Sequence, residues 1–438
     1  MDYAEFLQRF GELGMQAVTT QHDIDVYNAV RQLSIVKEQS DTSTAQVTAA
    51  EHTLKQVQSQ ELKPSESSLL ARLHWWTVEY GLVGEVNDYT IFGAGLLSSL
   101  AESESCLNDL NVIKKPLTVN AINSSYDITA AQPQLFVTES CRHMSQVLEE
   151  FGRHMCCRRG GASALHEAKA AASVNTLRLN SGLQVSGVIS RVICDAVGNA
   201  NYVNTSGLTQ LAFNNIELEG QGTSAHAQGF GSPIGRLRAM ERCLSNYTVD
   251  ELKRHHIEVG KAVRLNFLSG ICVRGKLKEI VRREQKNVLL CFVNCTVEDA
   301  DGSVLFDPAW GDYDMAVGDS VTGISGGSAD QARFPQHEAP SSHVTQDQHY
   351  DDYTRAQFAL YAELRDCREK QTETSALLSQ IAGMSECDWL LSFEALELAQ
   401  LQNLHQDLKY ELLNQLNKET GEAAVLIKYG LKRLGLAN

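Results

Sequence analysis

Glu79 stands in the run Leu73-His74-Trp75-Trp76-Thr77-Val78-Glu79-Tyr80-Gly81-Leu82, where a carboxylate is expensive. On a helix its neighbours three and four residues away are Trp75, Trp76, Leu82 and Val83, all apolar. An unpaired charge on such a face costs on the order of several kcal/mol, so the side chain needs a metal, a base, a proton, or an arginine or backbone partner. The metal option has a definite chemistry. An open iron site takes two imidazoles and one carboxylate and keeps three positions for water, oxygen and substrate. Its usual helical source is a pair of histidines four or five apart on one face. The thirteen histidines offer no such pair: His255 and His256 are adjacent, His337, His343 and His349 are six apart in a proline-broken stretch, and His166-Glu167 has no second histidine nearby. His74, five before Glu79, is assigned to a different face of the helix. On the residues alone, pairing with an arginine or a backbone group stands beside the metal reading.

The elements that must position Glu79 are mostly helical. Phe6, Phe10 and Leu13 share a face of a first helix that Gly14 interrupts. A second helical stretch covers Asp23 to Ser59, with a Ser/Thr-rich break near Asp41 to Thr44. Pro64-Ser65-Glu66 opens the helix that carries Glu79, and Gly81 and Gly84 are its expected stops. Asp88 to Ala94 reads as extended, Gln134 to Val137 as a strand, Ser140 to Phe151 as a helix and Gly160-Gly161 as a linker.

Beyond residue 160 the texture changes. Gln184 to Ile189 and Val288 to Val293 read as strands, Asp195 to Asn199 and Glu298 to Gly302 as turns, and Thr248 to His255 as an interrupting helix. Lys261 to Glu298 has the pattern of a small barrel or sandwich. Gly220 to Gly235, with Thr223 and His226, is either a ligand loop or a surface crossover. Residues 326 to 350 form a polar linker, and Tyr353 to Gly430 is leucine-rich and helical, read as an antiparallel hairpin whose leucines are core or an oligomer seam. The expected class is α+β: a helical region over residues 1–160, a β-rich region over 161–335 and helices over 350–438.

Composition bounds the function. The 438 residues suffice for two or three domains, and 43% hydrophobic with 21% charged residues is ordinary globular protein. A net charge of −16 argues against nonspecific binding to nucleic acid or anionic membrane, and the basic runs Arg153 to Arg159 and Arg274 to Arg283 read as solvated faces. No stretch has the apolar length of a membrane helix, and the acidic Met1-Asp2-Tyr3-Ala4-Glu5 lacks the basic start of a secretory signal. Eleven scattered cysteines read as reduced thiols of a cytoplasmic protein, with neither Cys156-Cys157 nor Cys291/Cys295 at zinc spacing.

Two blocks, Trp75 to Leu82 and Phe92-Gly93-Ala94-Gly95-Leu96-Leu97-Ser98-Ser99, together resemble the catalytic domain of the pterin-dependent aromatic amino acid hydroxylases, nearest to the phenylalanine hydroxylase branch in its long bacterial form. Tyr3 to Gly14 and Gln132 to Ser140 are similar to further parts of that domain, so the resemblance spans residues 1 to 151. It implies a helical basket around one non-haem iron, with Fe(II) and tetrahydrobiopterin as cofactors, an aromatic amino acid and dioxygen as substrates, and conversion of phenylalanine to tyrosine. By the same resemblance Glu79 is the carboxylate ligand. Trp75 and Tyr80 line the site, Gly95 and Ser98 belong to the loop contacting the amino acid, and Phe136 lies near the site mouth. His74 departs from the tyrosine usual in animal members, which leaves substrate preference open. The family's His-Glu-x-x-Gly-His motif, its pterin-binding segment and its substrate-carboxylate arginine would all precede Met1. The expectation is therefore a C-terminal part of a hydroxylase, holding one of three ligands and inactive alone. The alternative is a degenerate hydroxylase fragment kept as a binding or structural protein, with the C-terminal helices as a route to homo-oligomers.

Overall fold

In the computed structural model of the chain, residues 2–38, 42–60, 63–108, 111–128, 130–335, 351–372, 374–384, 387–402 and 406–436 are described. Most of the expected polar linker lies outside them, as does the start of the break near Asp41. The chain divides into two compact units, Met1–His337 and Glu338–Asn438. Among the described residues no helix is long and apolar enough to cross a membrane.

The first unit opens with α1 (Asp2–Gly14), which buries Phe6 and Leu13 on one face. Helices α2 (Gln21–Glu38) and α3 (Thr44–Gln58) pack on each other. A capping box of Ser43 and Gln46 starts α3, which buries no side chain among its described residues. Ser65 caps α4 (Glu66–His74), accepting from the Ser68 N–H at 3.0 Å. After the site segment come the hairpin β1 (Leu82–Glu85) and β2 (Asp88–Ile91), then α5 (Ala94–Ser98), α6 (Leu100–Asn108), β3 (Ile113–Pro116) and β4 (Gln134–Thr138). These strands form a sheet of order β2-β1-β4-β3, with β4 parallel to both of its neighbours. Ser140 caps α7 (Cys141–His154), and α8 (Cys156–Arg159) follows. Cys156 and Cys157 open this short helix, and both are buried. The core here joins Phe6, Leu73, Trp76, Leu82, Leu96, Leu135, Phe136, Leu148 and Phe151.

Helix α9 (Gly161–Ala171) leads into the β-rich region. Its strands are β5 (Val174–Leu179), β6 (Leu183–Cys194), β7 (Ala200–Phe213), β8 (Ile216–Glu217) and β9 (Gly231–Pro233). Helix α10 (Val249–Arg254) intervenes, and then come β10 (Ala262–Asn266), β11 (Cys272–Arg283), β12 (Lys286–Glu298), β13 (Val304–Phe306), β14 (Tyr313–Ala316) and β15 (Val321–Gly326). They make two antiparallel sheets, β15-β5-β6-β7-β8 with β9 on β7, and β10-β11-β12-β13 with β14 on β12. The expected turns join β6 to β7 and β12 to β13, and the expected helix is α10, with Thr248 and Glu251 as its capping box.

No loose linker separates this region from the first. The Gly326 N–H donates to Gln16 O at 3.1 Å, and Ser173 Oγ donates to Thr19 O at 2.5 Å. A Cβ on Gly323 would lie 2.2 Å from Cys157 O, so β15 lies against the first region at a distance only glycine permits.

The second unit contains α11 (Asp352–Lys370), α12 (Ser375–Ala382), α13 (Trp389–Leu401), α14 (Gln406–Leu416) and α15 (Gly421–Arg433). It is helical as expected, but built of five short helices where a hairpin of two was anticipated. Gln371 in the left-handed conformation ends α11, Gly383 ends α12 and Asp388 caps α13. Leu364, Leu377, Leu378, Leu391, Leu396 and Leu398 form the unit's own core.

Candidate active site

The helix carrying Glu79 changes pitch before it reaches that residue. Trp75–Glu79 is a π turn, with the Tyr80 N–H donating to Trp75 O, five residues back, at 2.8 Å. Thr77 Oγ donates to Leu73 O at 2.7 Å, and the Gly81 N–H donates to Thr77 O at 3.0 Å. The wider turn alters the neighbours expected from a 3.6-residue period. Leu82 and Val83 leave the helix for β1, and His74 comes within electrostatic reach of the Glu79 carboxylate. Burial pushes the His74 imidazole below its ordinary value, and Glu79 partly opposes that. The ring meets Phe10 edge-on at 5.2 Å.

An aromatic column stands beside the carboxylate. The Trp75 ring is stacked between Tyr80, at 4.5 Å and 17°, and Tyr126, at 4.4 Å and 8°. Tyr80 OH donates to Glu102 Oε2 at 2.9 Å, while Glu102 Oε1 accepts from the Gln132 N–H at 3.3 Å. Burial first, and Glu102 next, push the Tyr80 phenol up to about 12. Tyr126 and Glu102 escaped the sequence reading because neither lies in a distinctive motif.

The glycine loop closes on Glu79 from the other side. A Cβ on Gly95 would sit 2.9 Å from Glu79 Oε2 and 3.1 Å from the Tyr80 ring. One on Gly93 would sit 2.3 Å from Glu79 O. Ser98 is exposed and its hydroxyl donates to Gly95 O at 2.8 Å, which braces the loop. Phe136 lies in the core, tilted against Trp76 at 5.3 Å. Glu79, Trp75, Tyr80 and Gly95 thus form one group, Ser98 joins it through the Gly95 backbone, and Phe136 stands behind it.

Two polar groups here lack partners among the described residues. Half-buried Glu79 has no hydrogen bond or ion pair, so neither the arginine nor the backbone group considered for it is present. The Trp75 indole N–H is buried and unpaired. No histidine or further carboxylate joins Glu79 in a metal-sized cluster; the one such cluster among the described residues is Glu66, Cys156 and Glu167. That cluster is occupied by its own bonds. Glu66 accepts the Cys156 N–H at 2.6 Å and the Val18 N–H at 3.0 Å, and Cys156 Sγ donates to Glu167 at 3.2 Å. The described residues therefore supply a carboxylate and an aromatic wall, but do not by themselves enclose an iron ion.

A free carboxylate under a glycine loop and against stacked aromatic rings defines a candidate metal-ligand site on an α+β scaffold. Residues 41–178 match the family described as biopterin-dependent aromatic amino acid hydroxylase. Tyrosine 3-monooxygenase of Schistosoma mansoni is 39% identical over 87 residues, 20% of this chain and 18% of that protein. Phenylalanine-4-hydroxylase of Chromobacterium violaceum is 38% identical over 77 residues, 17% of this chain and 26% of that protein. The crystal structure of the latter enzyme with iron(III) and 7,8-dihydrobiopterin aligns with 25% of this chain and 38% of its own, at 27% identity and a TM-score of 0.19. The chain spans 18% to 26% of the length of these two curated relatives. The likeness to the biopterin-dependent aromatic amino acid hydroxylase family is confined to this segment of the chain.

Proposed function

We propose that the first 160 residues are the C-terminal part of the catalytic domain of an iron- and tetrahydrobiopterin-dependent monooxygenase. Its reaction is ring hydroxylation of an aromatic amino acid, phenylalanine to tyrosine. Glu79 is the carboxylate ligand, and two histidines from outside the described residues complete the set. The observation that carries this reading is the unpartnered Glu79 carboxylate beneath Gly95 and beside the Trp75–Tyr80 stack. The unpaired Trp75 N–H supports it, as a second polar group awaiting a component. The sequence match over residues 41–178 supports the class.

Iron and tetrahydrobiopterin, when bound, supply the activation of oxygen. This chain's residues supply the rest of the wall. Trp75 and Tyr80 wall the ligand carboxylate on one side, Gly95 lets the substrate loop approach it closely, and Ser98 fixes that loop. Phe136 acts from behind by supporting Trp76. The 438-residue chain, holding one of three ligands, does not turn over phenylalanine alone.

Assay of tetrahydrobiopterin- and Fe(II)-dependent tyrosine formation tests both parts. The protein isolated from its own cells is expected to be active and the 438-residue chain inactive. Activity in the short chain overturns the incompleteness. Inactivity of both favours the second reading, a non-catalytic hydroxylase fragment acting as a binding or structural protein, which rests on the incomplete ligand set.

A further inference from the structure

The β-rich region holds a cavity that lies outside the hydroxylase-like segment. Its volume is about 310 Å³, at the small end of ligand sites. One wall is the segment from Leu237 to Met240, tied to the end of β10 by the Leu237–Phe267 bridge and by the Arg238 N–H donating to Asn266 O at 2.9 Å. The residues Arg264, Leu265 and Asn266 of β10 form the second wall, and His255 and Ile257, just past α10, form the third. Leu237, Met240, Ile257 and Leu265 are buried and give an apolar floor, while Arg238, His255, Arg264 and Asn266 are exposed at the rim.

The two arginines lack internal counter-charges. Arg238 Nε donates to Phe267 O at 3.2 Å and Arg264 Nε donates to Asn266 Oδ1 at 3.2 Å, which fixes the base of each guanidinium. Among the described residues no carboxylate lies within ion-pair distance of either, although the chain has 54 acidic residues against 38 basic ones. Arg264 also stands directly across the β10–β11 ladder from Arg274, an arrangement of like charges that destabilises a sheet. Arg274 is neutralised by Glu298 at 2.5 Å. Arg264 has no such partner, so its positive charge is left for something the chain does not supply.

We propose that this cavity binds a small carboxylate carrying an apolar body, of the arylalkanoate type. Guanidinium groups match a carboxylate in plane and in charge, and the buried floor takes the hydrocarbon. A bare anion uses only the rim and an uncharged analogue only the floor, so neither satisfies the site.

The test is calorimetric titration of the full chain with 3-phenylpropionate, its amide 3-phenylpropionamide and inorganic phosphate. The acid is expected to bind saturably at one site per chain, with amide and phosphate each weaker by at least about tenfold. Arg264→Met and Arg238→Met, at exposed side chains, are each expected to weaken the acid and leave the amide unchanged. Equal binding of acid and amide, equal binding of acid and phosphate, acid binding unaffected by either variant, or no saturable binding of the acid each overturns the proposal. The acid–amide comparison on the unaltered chain stands without any variant.

Discussion

Gly95 lies over the Glu79 carboxylate so closely that a methyl group there would meet Oε2 at 2.9 Å, while the same group on Gly93 would meet the Glu79 backbone oxygen at 2.3 Å. The two glycines are close in sequence but differ in the atom that stands nearest. At Gly95 the nearest obstacle is the end of a side chain that can swing away, with the Tyr80 ring at 3.1 Å and the Glu79 backbone oxygen at 3.2 Å just beyond it. At Gly93 it is backbone, which cannot. Gly95→Ala is therefore expected to cost about 1 kcal/mol and Gly93→Ala about 3 kcal/mol. Urea unfolding of the two variants checks the order. Equal losses would mean that the loop adapts to either methyl.

Glu66 is predicted to be a stability residue. Its two oxygens take the Cys156 and Val18 N–H groups, joining the start of α4 to α8 and to the segment after α1. Glu66→Ala leaves two donors of largely buried residues unpaired and is expected to cost about 2–4 kcal/mol. A urea midpoint equal to that of the unaltered chain would contradict the linkage.

The acid side of the stability profile should show two imidazoles, the half-buried His74 and the buried His226. Burial lowers the pKa of both His74 and His226, with Glu79 and Asp314 respectively opposing. Each folded value lies below the ordinary 6.5, so the unfolded chain takes up protons first. Their contribution is complete above pH 6.5 and is lost as pH falls through the folded values. Between roughly pH 6.5 and 5, above the range of ordinary carboxylates, the urea midpoint should decline, and less steeply in His74→Gln or His226→Gln. An unchanged slope in both variants would refute the assignment.

Much of the local structure was legible because caps and turns are written in short range. Ser65, Ser140 and Thr248 each cap the helix expected after them, and the Asp195 and Glu298 turns join the expected strands. The surroundings of Glu79 were not legible, for a physical reason. A π turn depends on how Trp75, Trp76 and Tyr80 pack against distant residues, and no period in the sequence announces it. Tyr126 and Glu102 reach the site from 47 and 23 residues beyond Glu79, by loop and sheet geometry alone. The second unit was misread in detail because leucine spacing fixes helix but not helix length; single residues such as Gln371, Gly383 and Asp388 divide it.

Tyr80 offers a further check on the wall. Removing its hydroxyl breaks the 2.9 Å bond to Glu102 and leaves the ring stack in place. Tyr80→Phe is expected to cost about 1 kcal/mol in urea unfolding, because the bond is only partly buried. The alkaline titration followed at 295 nm should lose one late-ionising phenol, near 12. An unchanged titration would place the perturbed phenol elsewhere.

The most direct measurement is the iron content of the protein purified from its own cells, compared with its Glu79→Gln variant. Glu79 has no hydrogen bond or ion pair among the described residues, so its neutralisation should not lower the unfolding free energy of the iron-free protein in urea. If Glu79 is the third ligand, the parent carries close to one iron per chain and the variant loses most of it. Equal iron in both, or none in the parent, would contradict the assignment of Glu79 to a metal site.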